Sequence, residues 1–297
     1  MPRVPRLHLP GGIYHVILRG NNRQSLFFDD ECRCRLDDLV AGGIERYGCR
    51  VHAYCWMTNH VHFAVEVGRH PLGRLVQWVA SQYARATNRR YGRSGHLFER
   101  RHRALLIDRD SYLLQLVRYI HLNPVRAGIV HDPADYRWSS HHAYVRAPAA
   151  SWLTTSLVLS QFAATGARAR ARFASFVRED TAQDEIELLE RGCGQDSRIS
   201  GSERFVECVL DRPTTPVLPP SLDELVARVC AEYALAEDVL ASPSRARVHA
   251  VARARIAWEA TNCGAATLAE VARRLNRAEP VVCRALARYR QRYRPSG

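Results

Sequence analysis

The sequence predicts an α+β protein: an N-terminal split βαβ unit of the ferredoxin-like kind, an antiparallel sheet with helices, followed by an all-α C-terminal unit. Three observations predict it. Residues 12–107 alternate between period-2 and period-3.6 apolar patterns in the order strand-helix-strand-strand-helix-strand. A proline-rich stretch, DRPTTPVLPPS at 211–221, breaks the chain. After that break every apolar pattern is helical.

The elements follow in order. GIYHVILR, 12–19, reads as a strand with Tyr14 and Val16 on one face and His15 and Ile17 on the other, and the loop GNNRQ follows. Asp29 to Tyr47 reads as a helix, with acids in its first turn, apolar Leu36, Leu39, Val40 and Ile44 at helical spacing, and Gly48 as its end. Val51 to Val67 holds two strands around a Met57-Thr58-Asn59 corner. Pro71 to Tyr91 is a second amphipathic helix, HRALLI at 102–107 a fourth strand, and Ser111 to Leu122 a third helix ended by Pro124. Two helices on one side of four strands leave the other sheet face for this third helix. Residues 148–210 contain helical stretches at 168–178 and 182–191 and no visible catalytic constellation. The expected organisation is therefore a domain at 1–147, a helical connector at 148–210, a linker at 211–221 and an all-α domain at 222–297.

Composition narrows the function classes. The chain has 297 residues and a net charge of +13, carried by arginine alone, because the sequence contains no lysine; lysine chemistry is excluded. Residues 1–147 hold 22 Arg against 12 acids, 148–244 hold 9 against 15, and 245–297 hold 12 against 3. Two basic modules thus flank an acidic one, and guanidinium suits phosphate and guanine contacts, so nucleic acid is the expected partner. Nine cysteines, an odd number with no C-x-x-C pair, suit a reducing compartment. Without an eighteen-residue apolar run or an apolar leader, the expectation is a soluble, cytoplasmic protein with no membrane partner.

Chemistry concentrates in two places. His60 and His62, two apart on a strand, point to the same side, and that spacing fits a metal half-site and a packed pair of core histidines equally well. Tyr119 and Asn123, four apart on the third helix, share a face. A phenol, a carboxamide and two imidazoles converge if that helix covers the histidine face.

The segments MTNHVHF, RYIHLNPVRAGIV and DYRWSSHHAYV, with GIYHVILRGNNRQ and GHLFERRHRALLID, resemble the REP-associated branch of the single-tyrosine HUH transposases over about residues 10–146. The resemblance implies an HUH nuclease fold, His60 and His62 as the metal-binding HUH pair, Tyr119 as the nucleophile, and Asn123 in place of the polar ligand one turn beyond it. It implies a Mg²⁺- or Mn²⁺-dependent endonuclease that nicks and rejoins single-stranded hairpin DNA through a 5′-phosphotyrosine, as monomer or homodimer. Arg19, Asn21, Arg100, Arg101, Arg103, Arg118 and Arg126 are the candidate DNA contacts near that site, and Trp56, Phe98 and Trp138 the aromatics available for base stacking. Rival readings are a non-catalytic DNA-binding regulator with an HUH-like fold, disfavoured by the intact His60, His62 and Tyr119 set, and a replication-initiator or relaxase-type HUH endonuclease, disfavoured by NPVRAG.

Ser221 and Glu224 form a capping-box pattern, Arg245 to Thr261 reads as a long helix, and TLAEVARRL, NRAE and PVVCRALARYRQR give a helix-turn-helix outline. Leu222 to Gln291 resembles the C-terminal DNA-binding domain of the replication initiator DnaA, although Ala278-Glu279-Pro280-Val281 replaces its signature. Duplex DNA is the partner this implies, with Arg277, Arg284 and Arg288 as contacts, and a bacterial, nucleoid-associated protein is the expectation.

Overall fold

Alternation in the first strand, β1 (Ile13–Arg19), sends Tyr14, Val16 and Leu18 into one hydrophobic core and turns His15, Ile17 and Arg19 to the opposite face. The computed structural model describes residues 7–99, 102–146, 150–163, 166–179, 183–194, 196–211, 220–244, 246–263 and 265–292. The chain divides into two compact units, 1–214 and 215–297.

In the first unit, α1 (Asp30–Tyr47) starts where the Asp29 side chain accepts the Cys32 N–H and stops at Gly48 in the left-handed conformation, φ 60°. The hairpin β2 (Arg50–Trp56) and β3 (His60–Glu66) follows, then α2 (Leu72–Arg90) and β4 (Arg103–Ile107). α1 and α2 pack together on the first face of the sheet through Leu36, Val40, Leu75, Val76 and Val79. Gly43 makes this approach possible: a Cβ there meets Leu75 Cδ1 at 2.6 Å. A mid-helix glycine costs about 1 kcal/mol in propensity, and closer packing offsets it.

β1 pairs antiparallel with both β3 and β4, giving the predicted split βαβ order, but the sheet has a fifth strand. After α3 (Arg109–Arg126) come α4 (His141–Val145), α5 (Ser156–Leu159), α6 (Gly166–Arg178) and α7 (Gln183–Arg191), then β5 (Ile199–Ser200), which pairs parallel with β4. The sheet is therefore mixed, in the order β2-β3-β1-β4-β5. α8 (Glu203–Leu210) closes the unit. On the opposite edge, Trp56 N–H donates to Trp138 O and Ser140 N–H to Tyr54 O, each at 2.9 Å. Residues beyond 130 thus cover both edge strands, whose bare N–H and C=O groups would otherwise template pairing with another chain.

The segment at 148–210 is more than a spacer. α3 lies on the second face of the sheet, and α6 packs over it with Phe173, fully buried, stacked on Tyr144 at 4.6 Å. α3 also runs to Arg126, past the proline expected to end it. Pro124 withdraws the N–H that Ile120 O would accept, and the Asn123 carboxamide donates to Tyr119 O beside it at 2.9 Å.

His121 and His141 are buried in this second core, their Nδ1 atoms 3.3 Å apart, and burial lowers the His141 pKa to about 4. Below pH 6.5 the unfolded chain protonates His141 while the folded chain does not, so stability is complete above that pH and falls toward pH 4. Between pH 7.5 and 5 this residue alone removes about 2 kcal/mol. Urea titrations at both pH values, followed by tryptophan emission, should show a smaller acid loss in His141→Asn than in the wild type. Equal losses count against the assignment.

The second unit comprises α9 (Leu222–Glu232), α10 (Glu237–Ala241), α11 (Arg247–Cys263), α12 (Leu268–Arg274) and α13 (Glu279–Arg292). The Ser221–Glu224 capping box is formed, and a second one, Thr267–Glu270, starts α12. Leu225, Val229, Leu240, Ile256, Val271 and Val282 make its core. In α11, Arg253 is buried and donates to the carbonyls of Val239, Leu240, Ser242 and Ser244, while Arg255 pairs with Glu232 and Glu259. These two arginines of the VARARIAW segment act within the unit. Among the described residues no helix is long and apolar enough to cross a membrane.

Candidate active site

Register places the histidines. In the β1–β3 pair, Arg19 lies opposite His60 and Ile17 opposite His62, so both imidazoles share the second face with His15. α3 covers that face and brings Tyr119 down on it: its ring centroid is 5.8 Å from His62 and 5.4 Å from His15. His60 and His62 are 4.9 Å apart, ring to ring. The phenol and the two imidazoles thus meet on one sheet face, while the Asn123 carboxamide is bonded to Tyr119 O on its own helix.

Hydrogen bonds orient the two rings. Asn59 donates its Nδ2 to Arg23 O at 3.2 Å, which turns Oδ1 toward His60 Nδ1 at 2.7 Å. Burial, reinforced by Arg19, lowers the His60 pKa to about 4, so the ring is neutral near pH 7. Its proton therefore sits on Nδ1 and Nε2 carries the lone pair. His62 Nδ1 lies 2.9 Å from His15 Nε2, and His15 Nδ1 lies 3.0 Å from Leu189 O, which only accepts. With burial lowering the pKa of His15 to about 4 and that of His62 well below its ordinary value, both rings are neutral. His15 then donates from Nδ1 and accepts at Nε2, His62 donates from Nδ1, and His62 Nε2 is left bare.

Tyr119 is 4 % exposed, and its hydroxyl donates to Glu190 Oε1 at 3.1 Å. Burial and then the Glu190 charge raise its pKa above that of a free phenol, opposed by Arg126 and Arg103. The Arg126 guanidinium sits 4.7 Å from the Tyr119 ring centroid. The donor on Tyr119 O is Asn123 Nδ2, so Oδ1 is the remaining end of the Asn123 carboxamide. Among the described residues no group of three or more His, Cys, Asp or Glu is arranged to hold a metal ion. Two imidazole nitrogens and one amide oxygen are nonetheless donor types that suit Mg²⁺ or Mn²⁺ beside phosphate.

The arginines divide. Arg19, Arg103 and Arg126 surround the site and are exposed, as is Asn21 in a 3-10 turn whose next two residues, Asn22 and Arg23, have φ of 51° and 57°. Arg118 is a correction: it is 5 % exposed, bonded to Glu185 at 3.1 Å and stacked on Phe176 at 4.4 Å, because one residue along α3 turns it about 100° from Tyr119 toward α6 and α7. Arg100 and Arg101 lie outside the described residues. Trp56 is likewise corrected as a stacking aromatic, being fully buried with its N–H donated to Asp37 at 2.8 Å. In the second unit Arg277 donates to the carbonyls of Ala241, Ser242 and Asn276, so its guanidinium is held within the unit; Arg284 and Arg288 are exposed one turn apart on α13.

Three residues at the site escaped sequence reasoning: His15, Asn59 and Glu190. Strand parity puts His15 on the histidine face once β1 and β3 are known neighbours. Nothing local marks Glu190, 71 residues beyond Tyr119.

No curated protein matches the chain. A solved structure titled "Structure of the REP associates tyrosine transposase bound to a REP hairpin" is similar at 19 % identity and a TM-score of 0.43, over 49 % of this chain and 86 % of that one. Residues 10–123, which hold His15, His60, His62, Tyr119 and Asn123, match the family described as "Transposase IS200 like", so the first unit carries a domain similar to IS200-like transposases.

Proposed function

We propose that the protein is a metal-dependent, tyrosine-nucleophile transposase that nicks and rejoins single-stranded, REP-like hairpin DNA. The observation that carries this reading is the Tyr119 hydroxyl held on the same sheet face as His60 and His62, each with a bare Nε2. His60 Nε2, His62 Nε2 and Asn123 Oδ1 would hold Mg²⁺ or Mn²⁺, which would polarise the scissile phosphate and offset its developing charge.

Tyr119 Oη attacks phosphorus, the P–O3′ bond breaks, and the 3′ oxygen leaves and takes a proton from water. The products are a 5′-phosphotyrosine and a free 3′-hydroxyl, and reversal with another 3′ end rejoins the strand without ATP. The phenol proton goes to Glu190. A carboxylate is a weak base toward a free phenol, but the Oη–H bond becomes strongly acidic as the O–P bond forms. Arg19, Arg103 and Arg126, with Asn21, contact phosphates and unpaired bases.

The second unit is proposed as a DnaA-like helix-turn-helix module, α12 and α13, that binds duplex DNA through Arg284 and Arg288. The domain reading becomes a catalytic unit through about residue 210, the linker 211–221, and a DNA-binding unit from 222, in a bacterial protein working at the nucleoid as monomer or homodimer.

The test mixes the full chain with 5′- and 3′-labelled hairpin DNA from the flanks of its own gene, with Mn²⁺ or EDTA. A metal-dependent covalent adduct carrying the 3′-side fragment, lost in His60→Ala, is expected. Glu190→Gln should slow single-turnover adduct formation by about 10²-fold or more. Tight binding with no adduct on any hairpin points to a non-catalytic regulator.

A further inference from the structure

We infer that His15 is a positioning residue for the metal site: it fixes the tautomer and ring angle of His62 and connects them to the backbone of α7. The inference rests on His62 as a metal ligand, but its central observation is independent of metal. Leu189 O offers only lone pairs, so the His15 Nδ1 at 3.0 Å must donate. In a neutral ring Nε2 then has only a lone pair to present, and the His62 Nδ1 at 2.9 Å must supply the proton. The tautomer is dictated from outside the site, by a carbonyl 174 residues away from His15 in sequence.

The geometry favours a brace over ordinary packing. The His15 and His62 rings lie edge to edge, bonded N to N at 2.9 Å with centroids 5.2 Å apart and planes 22° from parallel, so the hydrogen bond is nearly in plane and holds the His62 ring against rotation. His15 is fully buried, with Ala64 as its cross-strand partner, a side chain small enough to leave room between the strands for both rings. Without a partner on Nδ1, a neutral His62 distributes its proton between both nitrogens, and the fraction carrying it on Nε2 cannot ligate. His60 receives the same service from Asn59, next to it in the chain. His62 depends instead on the docking of α7, whose next residue, Glu190, accepts the Tyr119 hydroxyl. One helical turn outside the matched segment 10–123 therefore orients both a ligand and the nucleophile.

The test compares His15→Leu, which keeps volume and removes both hydrogen bonds, with His15→Gln, whose carboxamide can accept from His62 and donate to Leu189 O. Full-length protein labelled with ¹⁵N-histidine is examined without metal by long-range ¹H–¹⁵N correlation, with the His62 signals assigned from a His62→Asn sample. Wild type and His15→Gln should show His62 as a single Nδ1–H tautomer, and His15→Leu a mixture. Mn²⁺ titration followed by electron paramagnetic resonance should give about 10- to 100-fold weaker binding in His15→Leu and recovery to within about 3-fold of wild type in His15→Gln. Thermal unfolding separates the brace from a folding defect, since both variants remove the same ring. An unchanged His62 tautomer in folded His15→Leu overturns the proposal, as does equal weakening in both variants. Loss of the tautomer in His15→Leu, in a wild type that binds no Mn²⁺, supports the brace and removes the metal-ligand reading.

Discussion

Tyr119→Phe should abolish the protein–DNA adduct, lowering its rate of formation by about 10⁴-fold or more, while leaving the fold and Mn²⁺ binding intact. The ring contacts of Tyr119 with His15 at 5.4 Å, His62 at 5.8 Å and Arg126 at 4.7 Å are all available to phenylalanine. What disappears is one hydroxyl and its hydrogen bond to the exposed Glu190 carboxylate, which water can replace. The expected stability change is therefore within about 1 kcal/mol. Circular dichroism melts, Mn²⁺ titration and denaturing gels on one preparation measure all three quantities. Metal-dependent cleavage that survives Tyr119→Phe and yields a free 5′-phosphate means that water is the nucleophile. Loss of cleavage together with loss of Mn²⁺ binding means that the substitution has disturbed the histidines.

The largest stability effect is expected far from the chemistry, at Phe173. Its ring is fully buried, stacked on Tyr144 and in edge contact with His121 at 5.7 Å and Phe162 at 5.6 Å. Truncation to alanine leaves a cavity between α6 and α3, and Phe173→Ala should cost the first unit about 3–5 kcal/mol. Urea unfolding followed by the emission of Trp56, Trp78, Trp138 and Trp152 measures it. A cost below about 1 kcal/mol would mean that residues 148–210 only tether the two ends of the chain. A large cost makes them part of the catalytic unit, and weaker adduct formation should accompany it, because α7 docks through the same core.

Much of this architecture was legible along the chain. Strand parity put His60 and His62 on one side, helical period put Tyr119 and Asn123 on one side, and Ser221 with Glu224 announced the start of α9. These are local rules, set by backbone geometry within one turn or one pleat, and neighbours in sequence obey them wherever the element ends up. Pro124 is the exception among local signals: it forbids one hydrogen bond, and the last turn of α3 tolerates that loss.

Tertiary structure decided which side chains meet. Arg118 and Tyr119 are adjacent in the chain, yet one is packed between α6 and α7 and the other faces the histidines. Arg277 looks like a groove contact until its guanidinium is found on the carbonyls that end α10. His15 and Glu190 belong to the site only because β1 pairs with β3 in one register and α7 folds back over α3. The residue types and their spacing were determined by the sequence itself; the tautomer of His62, the partner of the Tyr119 hydroxyl and the cover over both sheet edges came from contacts between segments 47 to 174 residues apart, which no local period encodes.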